Sequence, residues 1–235
     1  EFKQKMIASA ELPKTAQPSI GRFVEVYDEL GKNGNSVISI QMMRSISGTV
    51  DAARQAADIT ETNVTVVDSD FTSRSMGIIV KEAAKAAAEG KTVEEILEII
   101  EDAKKRTTLY LTVVNLDNLI KGGRISQLMG MFSNLLNIKL FLQVINGKIE
   151  IIQKGRGLKS LQKKYDEIFE QMKSAPNGIQ EIGIMHAGLS DFNEGNIARI
   201  RELFPDVPLT IVTTSPIIMS HTGVDAMAIT YLENK

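Results

Sequence analysis

Five short stretches gather side chains that could receive an anion or act on one. "SHTG" (Ser220–Gly223) holds one of only two histidines in 235 residues. "RSISGT" (Arg44–Thr49) follows an apolar run and opens a helix-like segment, so Ser47, Gly48 and Thr49 would stand at a helix N-terminus. There, free N–H groups and the helix dipole favour an anion. "KTAQPS" (Lys14–Ser19) places the Thr15 hydroxyl in an extended segment before a proline. "KGGRIS" (Lys121–Ser126) pairs two glycines with Arg124, and "QKGRGLKS" (Gln153–Ser160) sets Arg156 between two more. An arginine can hold a carboxylate or phosphoryl group through two parallel hydrogen bonds.

Each stretch also has a plain structural reading. Ser47 to Thr49 reads equally as a capping serine with a turn glycine. "KTAQPS" reads as a loop with a helix cap at Ser19, the two "KGG" glycines as a helix stop, and the "GRG" stretch as a solvated loop. His186, closing an apolar run in "MHAGLSD", reads as structural. Other chemistries lack their signatures. There is no GxSxG elbow, no P-loop, no GxGxxG, no HExxH and no Cys/His cluster. No acidic pair stands out as a general acid/base couple.

Composition excludes further classes. Net charge is −2, with no tryptophan and 5% aromatic residues, so nucleic acid is not an expected partner. Apolar content of 43% and charged content of 24% are ordinary for a globular chain. The absence of cysteine excludes disulfides and fits a reducing cytoplasm. No apolar run approaches the length that spans a bilayer, and the start does not read as a signal peptide. The chain opens without Met in what reads as mid-helix, so the natural chain is expected to begin earlier.

These stretches must be positioned by regular elements. Periodicity predicts a helix ending by Ala10, a helix over 19–30, a strand over 36–41, a helix over 49–59 and a strand over 63–69. A helix over 75–89 follows, then one opened by the Thr92/Glu95 capping box, then a strand over 109–115. Alternation of strand and helix predicts an N-terminal parallel α/β layer domain, 1–115. The second half begins with two strands around Asn146-Gly147, a strong hairpin signal. A helix over 158–172, a strand through His186, a helix over 193–203, a strand at "LTIVTTS" and a last strand at "VDAMAITYL" complete it. This predicts a C-terminal α+β domain, 116–235, with a mixed or antiparallel sheet. "SHTG" then falls on a glycine turn between two buried strands.

Taken in order, the stretches resemble the DegV family of bacterial fatty-acid-binding proteins. "TAQPS" resembles the family's Thr-Ser-Gln-Pro-Ser, "SISGT" its Leu-Ser-Gly-Thr, and "VVDSD…SMG" its strand-end Asp-Ser followed by Ser-x-Gly. "LDNLIKGGRIS" resembles its Leu-x-x-Leu-x-Lys-Gly-Gly-Arg-Ile-Ser, and "SHTG" the start of its His-Thr-Gly-Pro-Gly. The chain departs from the pattern at Ala16, at Met43-Arg44 and at Val224-Asp225, which alters the pocket mouth.

The resemblance implies a two-domain protein that binds one long-chain fatty acid in a buried tunnel. It implies no catalytic activity alone and no cofactor. A separate fatty acid kinase is the expected partner and makes the acyl phosphate; transient membrane contact is compatible with that role. By motif match, Thr15 and Ser47, with Gly48, Thr49, His221 and Thr222, receive the carboxylate. Arg124, Arg156 and His221 serve phosphoryl transfer or kinase docking. Burial of the acyl chain contributes about 0.8 kcal/mol per CH₂. After ordering costs, a Kd between about 10⁻⁶ and 10⁻⁹ M is expected. Ten methionines, including Met42, Met43, Met129 and Met131 near the motif loops, suit an adaptable apolar lining and would equally suit a core. Two alternatives stay open: an acyl hydrolase or transferase using Ser47 and His221, and a sensor for another amphiphile.

Overall fold

The structure is a computed structural model and describes residues 1–123 and 137–235. Arg124, Ser126, Met129 and Met131 lie outside the described residues. The chain divides into two compact units. One comprises 1–15, 107–144 and 149–235; the other comprises 16–106 and 145–148.

The unit containing both ends of the chain is built on a six-stranded sheet. Its strands are β3 (Thr107–Val113), β4 (Ile138–Ile145), β5 (Lys148–Arg156), β6 (Ile179–His186), β7 (Leu209–Thr213) and β8 (Met227–Glu233), in the order β5-β4-β3-β8-β6-β7. β3 runs antiparallel to β4 and β8, β8 antiparallel to β6, and β6 parallel to β7. The β4–β5 turn uses Asn146 (φ 49) and Gly147 (φ 67), the two positive φ values that a tight hairpin turn requires. β6 and β7 are joined through a helix (Asp191–Leu203), the crossover that a parallel pair needs.

One face of this sheet carries the main core. Tyr110, Phe141, Ile182, Ile184, Ile229 and Tyr231 pack there against the helix Leu158–Lys173 and the crossover helix. The stripe Leu161, Tyr165, Ile168, Phe169 and Met172 is buried as the helical spacing predicts. Other apolar groups of the sheet meet a short helix, α6 (Asp117–Lys121), through Leu116 and Leu119. A third cluster joins α1 (Phe2–Ala8) to the segment before β8: Met6 packs with Ala187, Met219 and Ala226.

The second unit holds two parallel strands, β1 (Val37–Gln41) and β2 (Val64–Asp68), paired in register from Val37↔Val64 to Gln41↔Asp68. Its helices are α2 (Ile20–Gly31), α3 (Thr49–Ala57), α4 (Ser73–Ala88) and α5 (Val93–Arg106). The capping box of α5 forms as expected: Thr92 N–H donates to Glu95 Oε2 at 2.8 Å, and Glu95 N–H to Thr92 Oγ1 at 3.2 Å. Hydrogen bonding holds the Glu95 carboxyl below its ordinary pKa.

The expected fold class holds: a parallel α/β part and an α+β part with a mixed sheet. The expected boundary at Asn115–Leu116 does not match the division into units. β3 pairs with β4 and β8, so it belongs with the strands that follow it, and residues 1–15 join that unit too. The periodicity of β3 marks a buried strand but carries no information on its partners.

A buried hydroxyl pair tests the main core. The Tyr165 hydroxyl lies 2.6 Å from Thr112 Oγ1, and both side chains are shielded from water. Burial pushes the Tyr165 pKa up, so the group stays a neutral partner. Tyr165→Phe alone is expected to destabilise the fold by about 1–3 kcal/mol, because Thr112 loses its partner in an apolar setting. The double variant Tyr165→Phe/Thr112→Val should recover much of that loss, as read by urea unfolding.

Candidate functional site

The motif side chains form two sets, one in each unit. In the first, Thr15 Oγ1 lies 3.0 Å from His221 Nε2. Either atom can donate, according to the tautomer of the ring. Both residues are half-buried. His221 is not on a turn between strands, as its sequence context suggested. It lies in the last turn of a seven-residue helix, Pro216–Thr222, here called α9. Ser215 caps that helix by accepting from Ile218 N–H, Pro216 occupies its first turn, and Gly223 (φ 77) stops it. The Ser-Pro pair was the available signal, hidden inside an apolar run that reads as strand.

α6 holds α9 in place. The Asn118 amide donates to the Ser220 carbonyl at 3.1 Å and contacts Met6 Sδ at 3.6 Å. The two "KGG" glycines have different reasons. Gly123 takes φ 69, which favours glycine. Gly122 has an ordinary φ of −72, but a Cβ there would stand 2.5 Å from His221 Nδ1 and 2.8 Å from the Asn118 carbonyl oxygen. Asn118 is thus a neighbour of His221 that sequence reasoning did not single out, and Gly122, read there only as part of a helix stop, is another. Thr222 belongs to the same helix, and its hydroxyl donates to the Ile218 carbonyl at 3.0 Å, so that donor is used inside α9.

The second set sits where α3 begins. Ser47 Oγ accepts from Thr49 N–H at 3.2 Å and lies 2.7 Å from Thr49 Oγ1. One hydroxyl hydrogen closes that contact, which leaves the other for an outside acceptor. Gly48 is the N-cap and has an ordinary φ of −75. Its missing Cβ makes room for the Gln17 side-chain amide, which a Cβ would strike. The arrangement is an N-cap, as the plain reading has it, and a hydroxyl beside a helix N-terminus is a combination that can receive an anion. Asp51 in the first turn is engaged by Arg44 at 3.0 Å and Arg54 at 3.6 Å.

Of the two expected arginines, Arg124 lies outside the described residues. Arg156 is exposed and closes β5 instead of standing on a free loop. Gly155 leaves space for the Ser160 side chain, and Gly157 (φ 75) is the N-cap of the following helix. The other histidine, His186, closes β6 near the Lys3–Asp225 ion pair, whose atoms are 3.4 Å apart. Burial, and then the Lys3 ammonium, lower its pKa below the ordinary 6.5. Among the described residues no group of His, Asp and Glu has the arrangement of a metal site, and no helix is long and apolar enough to cross a membrane.

Two expectations follow. Gly122→Ala should displace the His221 ring and break its contact with Thr15 without unfolding the chain. With only two histidines present, the imidazole ¹⁵N signals of the variant read this directly. For His186, the unfolded state binds more protons than the folded state just below pH 6.5, so stability falls as pH drops through that window. His186→Gln should flatten this part of the stability–pH curve, as followed by denaturant midpoints.

Comparison with known proteins agrees with this architecture. Residues 1–234 match the family model described as "Uncharacterised protein, DegV family". A DegV domain-containing protein of Streptococcus pneumoniae is 41% identical over 229 residues, covering 97% of this chain and 81% of that protein. Among solved structures, DegV of Bacillus subtilis, described as a fatty acid binding protein, superposes with a TM-score of 0.87 at 28% identity, covering 99% of this chain and 83% of that one. The Streptococcus pneumoniae Fatty Acid Kinase (Fak) B3 protein loaded with linoleic acid superposes with a TM-score of 0.81 at 28% identity, covering 99% and 83%. On the match of nearly its whole length, the chain belongs to the DegV family.

Proposed function

We propose that this chain binds one long-chain fatty acid in a buried tunnel and presents its carboxylate to a separate kinase. The kinase transfers the γ-phosphoryl group of ATP to a carboxylate oxygen, giving acyl phosphate and ADP. The observation that carries the reading is the Ser47–Thr49 hydroxyl pair at the start of α3, with one hydroxyl hydrogen to spare for an anion. Relatives of the same fold, described as binding fatty acid, support it. Thr15 serves as a second hydroxyl donor when His221 Nε2 carries the proton and donates to Thr15 Oγ1. The chain itself needs no catalytic group or cofactor for this role. Its task is to hold, orient and hand over the headgroup. Arg156, Arg124 and His221 are assigned to the phosphoryl step or to contact with the kinase.

The hydrolase alternative is disfavoured by the partners of its two key residues. Ser47 Oγ is bonded to Thr49 and His221 Nε2 to Thr15, so each is already engaged by a partner within its own unit.

Native mass spectrometry of the purified protein should show one bound acyl species. Protein that is free of ligand and ignores added palmitate and oleate would overturn the proposal. A different amphiphile in the spectrum would favour the sensor reading. Ser47→Ala and Thr15→Val should each weaken fatty acid binding by about 1.5–3 kcal/mol, the range for a hydrogen bond to a charged group. Arg156→Ala should leave fatty acid affinity unchanged. It should lower kinase-dependent acyl phosphate formation in a salt-dependent way.

A further inference from the structure

The loop that carries Ser47 is pinned by a carboxylate for which the proposed function has no use. β1 and β2 end side by side, Gln41 beside Asp68. The chain leaves β1 into the stretch that ends in Ser47 and leaves β2 into the stretch Ser69–Thr72. Three hydrogen bonds join these exits. Ser69 N–H donates to the Gln41 carbonyl at 2.9 Å, and Met43 N–H to the Phe71 carbonyl at 2.8 Å. The third is made by a side chain: Arg44 N–H donates to Asp68 Oδ2 at 3.1 Å. The other carboxylate oxygen, Oδ1, accepts from Asp70 N–H at 2.9 Å.

The Ser69–Thr72 stretch is itself held firmly. Asp70 takes φ 59, and Lys104 Nζ lies 2.7 Å from its carboxylate. Ser69 is fully buried, and its Oγ donates to the Phe71 carbonyl at 3.1 Å. Asp68 therefore ties the Arg44–Ser47 stretch to the one that follows β2. Only a carboxylate suits this task. It offers two acceptor oxygens and no donor. An asparagine would supply one acceptor and turn its NH₂ toward the second backbone N–H; an alanine would supply neither.

A negative charge at this end of β2 works against an anionic ligand at Ser47. If Asp68 acted through charge alone, removing the charge would tighten fatty acid binding. We infer that Asp68 is a positioning residue for the Ser47–Thr49 loop and thereby sets the preference for a carboxylate over a neutral headgroup. It acts through the loop and touches no ligand. The inference rests on the proposed function.

The test compares Asp68→Asn and Asp68→Ala with the unaltered chain. Affinities for palmitate and for 1-hexadecanol are measured in each, along with the backbone amide signals of Arg44 and Thr49 by NMR. Palmitate affinity should fall roughly tenfold in Asp68→Ala, the loss that one displaced charge-assisted donor brings. Hexadecanol affinity should change little, and Asp68→Asn should lie between. An unchanged or increased preference for palmitate in folded variants would overturn the inference, as would unshifted Arg44 and Thr49 amides. Should Asp68→Ala not fold, Asp68→Asn carries the comparison. An unaltered chain that prefers neither ligand would instead overturn the proposed function, while the amide signals still decide whether Asp68 holds the loop.

Discussion

The larger sheet depends on β8 having a partner on each side. Every residue from Met227 to Leu232 is shielded from water. Its backbone N–H and C=O groups therefore need hydrogen bonds within the protein, since an unpaired buried amide is costly. β3 supplies one ladder and β6 the other, both antiparallel. The strand that follows "SHTG" is thus the middle of the sheet, and the segment leading into it has little freedom. The Asn193 amide holds that lead-in by donating to the Gly188 carbonyl at 3.0 Å and the Asp225 carbonyl at 3.1 Å. α9 ends just ahead of it, and His221 is delivered to Thr15 from there.

The two motif sets share one device. In each, a hydroxyl is bonded to a neighbouring group, Thr15 to His221 and Ser47 to Thr49. Each pair is thereby already oriented, which in the proposed function would lower the ordering cost of binding. In each, a glycine with an ordinary φ gives room to a side chain: Gly122 beside His221, and Gly48 beside Gln17. These glycines serve space where those at Gly123, Gly157 and Gly223 serve conformation. Substitution at the two kinds should therefore have different signatures, a displaced side chain in the first and a strained backbone in the second.

In the proposed function, binding by oriented hydroxyls and a helix N-terminus would suit a carrier. A carboxylate held only by hydrogen bonds stays ionised and remains a nucleophile for a phosphoryl donor supplied by another protein. A tight salt bridge to a buried arginine would hold it more strongly and make transfer harder.

Much of the local structure was legible in the residues. Helical stripes such as Leu161, Tyr165, Ile168, Phe169 and Met172, the Thr92/Glu95 box and the Asn146-Gly147 turn each carry their own physical signal over a few residues. The ordered motifs were enough for the family. The membership of β3, the helical state of "PIIMSHT" and the meeting of Thr15 with His221 were not legible. An apolar run states that it will be buried, not against what. Thr15 and His221 stand 206 residues apart in the chain. Their contact exists because β8 is locked into the centre of a sheet and α6 sets the place of α9. The amino-acid sequence by itself determined most of the segments that become helix or strand, with "PIIMSHT" the exception, and which loops carry hydroxyls and glycines, because those preferences are local. The tertiary structure alone decided which hydroxyl meets which ring, because that contact is set by packing and hydrogen bonding between distant segments.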